Sequence, residues 1–363
     1  MLKYRGSRSM RARLVMATLS RRAIRIDEIR SMDEDPGLRD FEASLLRLLE
    51  KISNGCKVEI NETGTSLYYK PGILVGGHVT HDCGTSRSIN YYVEALVVLG
   101  LFGKKPIRAI LKGVTNDNLD MNYDSWKNCA MPLLKKLTGE GDFDVKLIRR
   151  GARPLGGGEI HLSVPVVKAL LPANMTDEGL VKRVRGIAWS AKVSPTLLSR
   201  AIDTCRGVLN NFLPDVYVFT DHRSGMDAGK APGYGVSLVA ETTTDCTISA
   251  DLTTEVEGEG NDKHANVPED IGTNVATILL EEIRRGGCVD SSFQSLALLL
   301  AALGPEESCK VRIGPLTDAG IETLRLIRDF FGVTFNLKPD ISSGTVLASC
   351  IGSGMKNMAR KVT

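Results

Sequence analysis

A glycine-rich segment near the middle of the chain has the residue types that could bind an anion. It reads Arg150-Gly151-Ala152-Arg153-Pro154-Leu155-Gly156-Gly157-Gly158. Consecutive glycines permit positive φ and leave backbone N–H groups uncovered, so Arg150 and the loop Gly156, Gly157 and Gly158 could hold a phosphate or an RNA strand. Because glycines have no Cβ atoms, they also let another element pack very closely. A tight junction between two strands is therefore an equally good interpretation.

Two other segments contain patterns associated with ligands. His78, His81 and Cys83 are metal-ligand residue types, but a structural zinc site needs a second, separated pair of ligands, and a loop after the apolar residues 73–75 explains the segment as well. A glycine-bracketed segment ending at Lys230 resembles a phosphate-binding loop. It is one residue short and continues with Ala231 where Ser or Thr should hold magnesium. We predict no metal site and no cofactor.

Charged residues cluster on the last predicted helix. Asp318 and Glu322 lie one turn apart, and metal-dependent RNA cleavage would need such clustered carboxylates. A helix N-terminal cap region and a solvated face explain both residues more simply. Arg325, Arg328 and Asp329 on the same helix are candidates for contact with a protein partner or rRNA, and plain surface solubility is the alternative.

The positive charge of the chain is concentrated at its beginning. The formal net charge of the whole sequence is only +3, which does not by itself indicate nucleic acid. Residues 1–30, however, contain two acidic residues, Asp27 and Glu28, against a large set of basic ones. A basic N-terminal arm of this kind attracts phosphates without reading sequence, although a solvated surface is the alternative. The basic residues are Lys3, Arg5, Arg8, Arg11, Arg13, Arg21, Arg22, Arg25 and Arg30.

Length and composition exclude several classes of protein. The 363 residues are 42% hydrophobic, which predicts a folded protein of two or three domain-sized parts. No apolar run approaches the roughly 18–20 residues that span a bilayer, so a membrane partner is not expected. The eight cysteines are scattered without a C-x-x-C pair, which favours a reducing compartment over a disulfide scaffold.

One order of elements recurs three times along the chain. Each copy is predicted as helix, strand, helix, strand, strand. Helical periodicity and β-branched alternation give the assignments. The second helix and last two strands of each copy are predicted at 38–54, 57–61 and 65–69, at 123–137, 144–149 and 159–164, and at 318–331, 333–337 and 345–351.

The third copy is separated from the second by a segment with a different order. This segment has a strand at 181–192, a helix at 195–213 and further strands, and it ends in a polar loop at 258–262. We therefore predict an α+β fold of three packed units with a small inserted α/β domain. The predicted boundaries are 1–177 for units one and two, 178–265 for the inserted domain and 266–363 for unit three.

The glycine-rich segment also carries a resemblance to a known family. Arg150-Gly151, Pro154 and Gly156–Gly158 fit the signature of the RNA 3′-terminal phosphate cyclase family at every fixed position. The resemblance covers nearly the whole chain, including Ile29-Arg30 and Pro36-Gly37-Leu38. Cyclases of this family adenylate a histidine with ATP and pass AMP to an RNA 3′-phosphate. The resemblance implies that Arg11 and Arg30 are retained phosphate-binding positions.

The sequence departs from the cyclases at the reactive position. The family's nucleophilic histidine follows a strand that corresponds to residues 310–313, but Gly314 and Pro315 stand there and no histidine follows His264. Most of the N-terminal glycine-rich motif is replaced, and Asp33 occupies an expected basic position. We therefore expect no cyclase activity.

These departures resemble the eukaryotic ribosome-biogenesis branch of the family. That resemblance implies a non-catalytic nuclear, nucleolar factor of the small-subunit processome that is needed for pre-rRNA processing. The implied partners are a ribosome-assembly GTPase and other processome proteins, and direct contact with pre-rRNA is left open. The alternative is an endoribonuclease that cleaves pre-rRNA, for which the sequence offers no recognisable site.

Overall fold

The computed structural model describes residues 1–139, 141–254 and 267–357. The predicted mixture of α and β structure is confirmed, because helices pack against several mixed sheets. The polar loop predicted at 258–262 lies outside the described residues. Within them, no helix combines the length and the apolar character that a bilayer crossing requires.

The first group of elements forms a four-stranded sheet in the order β1-β2-β5-β4. The first two strands are parallel, and the other neighbours are antiparallel. Alternate residues of the two inner strands, β2 and β5, are buried. The elements are β1 (Leu2–Arg5), α1 (Met10–Ser20), β2 (Ile24–Asp27), α2 (Asp40–Ile52), β3 (Ser53–Asn54), β4 (Lys57–Ile60), β5 (Leu67–Lys70) and β6 (Ile73–Leu74), of which β3 and β6 form a separate pair.

The second group forms a four-stranded sheet in the order β7-β8-β10-β9. Again the first pair is parallel and the others are antiparallel. The single helix predicted at 123–137 contains a π-helical turn, Trp126–Ala130. The elements are β7 (Gly77–Asp82), α3 (Ile89–Gly100), β8 (Ile107–Gly113), α4 (Tyr123–Ser125), the π-helical turn, α5 (Met131–Thr138), β9 (Asp144–Arg149) and β10 (Gly158–Val164).

The inserted segment follows a short strand, β11 (Asn174–Met175), and has its own sheet in the order β13-β12-β14-β15. Its core is separate from that of the surrounding groups. Its elements are β12 (Val181–Ala191), α6 (Pro195–Leu209), β13 (Val216–Arg223), β14 (Gly233–Thr242), β15 (Thr247–Thr253) and α7 (Pro268–Arg285).

Helix α7 packs on the inserted sheet, which differs from the predicted boundary after residue 265. Ile271, Val275 and Leu279 are buried in the same core as Leu198 of α6. A Cβ on Gly272 would overlap the carbonyl oxygen of Ala201, so α6 and α7 approach closely there. Helical periodicity locates this helix in the sequence, but it does not reveal which sheet the apolar face contacts.

The last group completes a third sheet in the order β11-β16-β18-β17, with the same parallel first pair. The predicted strand 345–351 is observed, whereas the strand predicted at 333–337 lies later. The elements are α8 (Gln294–Ala302), β16 (Ser308–Ile313), α9 (Asp318–Phe331), β17 (Asn336–Asp340) and β18 (Thr345–Ile351).

Each of the three sheets begins with a strand that the predicted order lacks. These strands are β1, β7 and β11, and each lies parallel to the next strand of its sheet. The prediction missed them because β11 has only two residues and the others are rich in polar side chains. Residues His78 and His81, predicted to lie in a loop, therefore belong to β7.

Candidate functional site

The segment between β16 and α9 contains no nucleophilic side chain next to the strand end. Gly314 follows β16 directly, and a Cβ at this position would lie 3.0 Å and 3.1 Å from the carbonyl oxygens of Gly286 and Arg285. Farther along, the side-chain oxygen of Gln294 accepts hydrogen bonds from the N–H and hydroxyl of Thr317, at 2.9 and 3.1 Å. Thr317 in turn caps α9 by accepting a hydrogen bond from the N–H of Gly320. The segment is occupied by backbone packing and helix capping.

Arg11 is engaged inside the protein. Its guanidinium contacts the Glu94 carboxylate, donates to the carbonyl oxygen of Tyr91 at 3.2 Å and lies 4.7 Å from the centre of the Tyr91 ring. Burial raises the pKa of Glu94 above its usual value, while the nearby Arg11 charge opposes this shift. An external phosphate would have to compete with Glu94 for Arg11.

The cavity beside Arg11 carries an excess of negative charge. It has a volume of about 400 Å³ and is lined by residues from α1, α3, the loop before α4, the inserted sheet and α7. Arg87 makes hydrogen bonds of 2.6 and 3.0 Å to the Asp120 carboxylate, so both lining arginines already have carboxylate partners. The charged lining residues are Arg11 and Arg87 against Glu94, Asp117, Asp120, Asp251 and Glu282.

The carboxylates of this cavity are partly removed from water, which strengthens their interactions with other charges. Desolvation raises the pKa of both Asp117 and Asp251. Opposing or like charges interact more strongly when they are partly removed from water. The cavity therefore disfavours a phosphate, in contrast to the predicted role of Arg11 as an anion ligand.

Arg30 shows the same kind of internal pairing. Its two terminal nitrogens donate to the two oxygens of Glu42 at 2.8 and 2.9 Å, and one of them also donates to the carbonyl oxygen of Gly37 at 3.1 Å. Glu42 additionally accepts from the N–H of Arg39 at the start of α2. Arg30 thus fixes the connection between β2 and α2.

Arg150 is completely enclosed. The residue is 1% exposed and makes a two-pronged ion pair with Asp124, at 2.9 and 3.0 Å. Its Nε donates to Asp221 of the inserted sheet at 2.8 Å, and its guanidinium lies 5.3 Å from the ring centre of Trp189. Arg150 joins the second sheet to the inserted one, and these internal partners occupy the guanidinium that was predicted to contact an external anion.

The glycine loop after Arg150 is a close-packing site. A Cβ on Gly158 would lie 2.5 Å from the side chain of Thr115 and 2.8 Å from the nitrogen of Gly151. The carbonyl oxygen of Gly156 accepts a hydrogen bond from the N–H of Lys230 at 2.8 Å, and a Cβ on Gly157 would meet the same lysine. The geometry agrees with the tight junction, and the segment ending at Lys230 supplies part of it.

The predicted partner-binding residues on α9 differ in their exposure. Arg325 pairs with Glu322 at 2.7 Å and Arg328 lies 3.7 Å from Asp329, and both arginine side chains are exposed. Asp329 is tied to the first group, because it accepts from the hydroxyl of Tyr4 at 3.4 Å and its carbonyl oxygen accepts from Arg22 at 2.9 Å. Asp329 therefore has an internal role, whereas the two arginines remain predicted partner contacts.

The basic N-terminal residues do not form a separate arm. They lie in β1, α1 and β2 and in the connections next to these elements, and their side chains divide into an internal and an external set. Arg13 is 6% exposed and donates to the carbonyl oxygen of Gly6 at 2.7 Å. With Arg11 and Arg30 also engaged, the exposed set is Lys3, Arg5, Arg8, Arg21, Arg22 and Arg25.

The histidines of β7 alternate between solvent and core. His78 is exposed, whereas the Nε2 of buried His81 lies 2.9 Å from the hydroxyl of Ser44. Burial and the positive charge of Lys51 lower the pKa of His81 to about 4. Within the described residues, no group of three or more His, Cys, Asp or Glu side chains is arranged to hold a metal ion.

The acidic partners of the arginines were not identified from the sequence. Glu94 is 83 positions from Arg11, and Asp221 is 71 positions from Arg150. No motif or periodicity links residues so far apart. The sequence did contain one sign of lost phosphate binding: Asp33 stands where the cyclase family is expected to have a basic residue.

Comparison with known proteins assigns the chain to a family. A family model described as RNA 3′-terminal phosphate cyclase matches residues 2–337. The human RNA 3′-terminal phosphate cyclase-like protein is 50% identical over 366 residues, covering 99% of this chain and 97% of the human protein. The probable RNA 3′-terminal phosphate cyclase-like protein of Dictyostelium discoideum is 48% identical over 368 residues, covering 99% of both chains.

A relative with a functional name extends this comparison. The rRNA processing protein rcl1 of Schizosaccharomyces pombe is 40% identical over 364 residues, covering 99% of this chain and 98% of that protein. Similarity thus extends over nearly the whole length of each relative and is not confined to the glycine-rich motif. The chain belongs to the RNA 3′-terminal phosphate cyclase family.

Proposed function

We propose that this chain is a non-catalytic factor of rRNA processing that acts through binding. The proposal places it in the nucleolus as part of the small-subunit processome, with a ribosome-assembly GTPase as its partner. The name of the Schizosaccharomyces pombe relative supports the step from the family to rRNA processing. Pre-rRNA is a further proposed partner.

The proposal that the chain is non-catalytic depends on Gly314, which stands where the cyclases have their nucleophilic histidine. Adenylyl transfer through a histidine requires an imidazole that can reach the phosphate of ATP. Gly314 has neither a side chain nor free space around its Cα, because two backbone carbonyl oxygens lie close to the position of a Cβ. A nucleophile at this point would require the segment to move.

The pairing of the three predicted anion-binding arginines supports the same proposal. A phosphate-binding site needs cations whose charge is available to the ligand. Arg11 and Arg30 are instead paired with Glu94 and Glu42, and Arg150 is buried against two aspartates. These arginines stabilise connections between elements of the fold.

The proposed binding role also fits a body built from three related units. Three sheets share one strand order and one pattern of parallel and antiparallel neighbours. We infer that each sheet with its helices is a copy of one unit, which leaves charged outer faces available for partners. The exposed Arg325 and Arg328 on α9 are one such candidate contact for a protein.

Adenylylation is the most direct test of the non-catalytic proposal. The purified chain is incubated with α-labelled ATP and magnesium, with and without an RNA that ends in a 3′-phosphate. We expect no covalent protein–AMP adduct and no cyclic phosphate on the RNA. An adduct found by mass spectrometry on any side chain would overturn the proposal.

Endoribonuclease activity is the competing outcome. The pure chain is mixed with a pre-rRNA fragment and magnesium, in parallel with a variant that carries Asp318→Asn and Glu322→Gln. We expect both preparations to leave the RNA intact. Cleavage by the first preparation that disappears in the variant would establish a nuclease instead of a binding factor.

Binding and biological role are tested together in cells. Depletion of the chain should cause precursors of the small-subunit rRNA to accumulate, and a tagged chain purified at moderate salt should carry a stoichiometric GTP-binding partner. Normal processing after depletion would contradict the proposed role. If depletion blocks processing but the purified chain carries no GTP-binding protein, the role in processing stands and the GTPase partner is refuted.

A further inference from the structure

The outer side of the first sheet carries a concentration of exposed cations around one tyrosine. We call it the basic sheet face, defined by Lys3, Arg5, Arg25, Lys57, Tyr68 and Lys70 together with Asp27 and Glu59. Residues that are directly opposite each other in neighbouring strands place their side chains on the same side of a sheet. The observed register pairs Lys3 with Arg25, Arg25 with Tyr68, Tyr68 with Glu59, and Lys57 with Lys70.

The other side of this sheet faces the core. Ile24, Ile26, Leu67 and Tyr69 are all buried, and the hydroxyl of Tyr69 lies 2.8 Å from that of Thr18 on α1. Helices α1 and α2 therefore account for one side only. On the opposite side the side chains of Arg5, Arg25 and Lys57 are 82%, 50% and 63% exposed.

Positive charge on the basic sheet face exceeds negative charge, and the ion pairs present are weak ones. Arg25 lies 3.0 Å from Asp27, Lys57 lies 2.5 Å from Glu59, and Arg5 lies 3.6 Å from Glu28. Ion pairs between exposed side chains contribute little and can be exchanged for other anions. Neither Lys3 nor Lys70 makes an ion pair within the part of the chain that the structure describes.

Tyr68 places an aromatic ring among these cations. Its ring is half-buried and lies in the middle of the four strands, between Arg25 on one side and Glu59 on the other. Neighbouring strands are about 4.8 Å apart, so cations are distributed over roughly 14 Å across the sheet. Proteins bind unpaired nucleotides by stacking bases on exposed aromatic rings of a sheet while cations contact the phosphates.

We propose that the basic sheet face binds single-stranded RNA, with one base stacked on Tyr68 and phosphates contacting Lys3, Arg25 and Lys70. This inference rests on the proposed role in pre-rRNA processing and assigns a surface for RNA contact. A stacked base must be unpaired, which selects a single strand over a duplex. The face lies on the first sheet and does not include the cavity beside Arg11.

The experiment measures the affinity of the full chain for a fluorescent 12-nucleotide RNA without secondary structure, by anisotropy at several KCl concentrations. The test variant combines Lys3→Gln, Arg25→Gln and Lys70→Gln. The slope of log affinity against log salt changes by about 0.7 for each lost phosphate contact, so the slope should become about 2 less steep. A variant that preserves charge, with Lys3→Arg, Arg25→Lys and Lys70→Arg, should keep the slope and shows whether the strands tolerate substitution.

A matched control removes three exposed cations from the inserted domain. It combines Lys182→Gln, Arg200→Gln and Arg284→Gln, which change the net charge equally. The inference requires that this control leave the slope unchanged. Equal effects of the control and the test variant would show that only net charge matters and would overturn the assignment.

The aromatic contact has its own pair of variants. Tyr68→Ala should weaken RNA binding by about 5- to 150-fold, the range measured for loss of one stacked base. Tyr217→Ala removes an exposed tyrosine of the inserted sheet and should have no effect on RNA binding. The opposite pattern would place the RNA elsewhere. Equal binding of an acidic polypeptide, insensitive to Tyr68→Ala, would also overturn the assignment, because it would identify an acidic protein partner.

A processing assay separates this inference from the proposed function. The test variant and Tyr68→Ala are expressed in cells depleted of the chain, and precursors of the small-subunit rRNA are measured. Unchanged RNA binding in these variants, together with a requirement for the chain in processing, would overturn the RNA surface and leave the function intact. Normal processing in cells depleted of the chain would overturn the proposed function in rRNA processing.

Discussion

Arg150 and Asp124 form a buried two-pronged ion pair, although Arg150 belongs to the most recognisable motif of the sequence. Both residues are 1% exposed, and the two nitrogen–oxygen distances are 2.9 and 3.0 Å. Asp221 of the inserted sheet accepts from the remaining nitrogen. A motif that suggests phosphate binding thus connects the second sheet to the inserted one.

Removal of Arg150 should destabilise the protein strongly. Arg150→Ala leaves Asp124 buried without its partner, which typically costs about 3–5 kcal/mol. Arg183→Ala removes an exposed arginine that pairs with Glu241 on the inserted sheet, and should cost less than about 1 kcal/mol. Urea unfolding followed by circular dichroism measures both. Similar losses for the two variants would show that the buried network is not a special source of stability.

His81 should make stability depend on pH. Its pKa is about 4 in the folded protein because of burial, compared with about 6.5 in an unfolded chain. Between these values the unfolded chain binds a proton that the folded protein does not, so this histidine lowers stability as pH falls from about 6.5 to 4. The expected loss between pH 7 and pH 5 is about 2 kcal/mol.

A difference between variants isolates this contribution from the other titrating groups. His81→Gln removes the titrating ring, so the free energy of unfolding should fall about 2 kcal/mol less between pH 7 and pH 5 than in the parent. His78→Gln replaces the exposed histidine of the same strand and serves as the matched control for the loss of an imidazole. Parallel curves for the parent and His81→Gln would refute the assignment.

Glu94 should suppress anion binding next to the cavity of about 400 Å³. It pairs with Arg11, and Glu94→Gln removes the negative charge while keeping the size of the side chain. The affinity for ATP, measured by isothermal titration calorimetry without RNA, should rise about fivefold, which corresponds to about 1 kcal/mol. Glu241→Gln frees the exposed Arg183 instead and should not change ATP affinity. An unchanged affinity in Glu94→Gln would mean that the remaining carboxylates or the shape of the cavity exclude the anion.

The sequence predicted elements where local pattern and packing agree. The helix α9 and the strand at 345–351 were predicted with their observed bounds. Helix α9 is amphipathic, and its apolar residues are buried with the helical period. The strand β1 was not predicted. It has only four residues, and two of them, Lys3 and Arg5, belong to the exposed side. Its pairing with β2 depends on the tertiary structure.

The candidate site was harder to predict for a different physical reason. The sequence identified Arg11, Arg30 and Arg150 as cations, but the charge available to a ligand depends on which carboxylates fold against them. Glu94 and Asp221 approach their arginines across 83 and 71 positions. Local spacing contains no information about such contacts, and the three-dimensional packing supplies it.

The glycines of the Arg150 motif give the last prediction, which separates close packing from anion binding. A Cβ at Gly158 would lie 2.5 Å from Thr115, 2.8 Å from the nitrogen of Gly151 and 3.0 Å from the carbonyl oxygen of Gly113. Gly158→Ala should therefore cost about 1–3 kcal/mol through overpacking at the junction of the strands. Gly207 is the matched control, since it lies within α6 with no atom within 4 Å of the position of a Cβ. Gly207→Ala should stabilise the protein by up to about 1 kcal/mol, because alanine favours the helix. Thermal or urea unfolding that gives Gly158→Ala the stability of the parent would contradict the close-packing role of this motif.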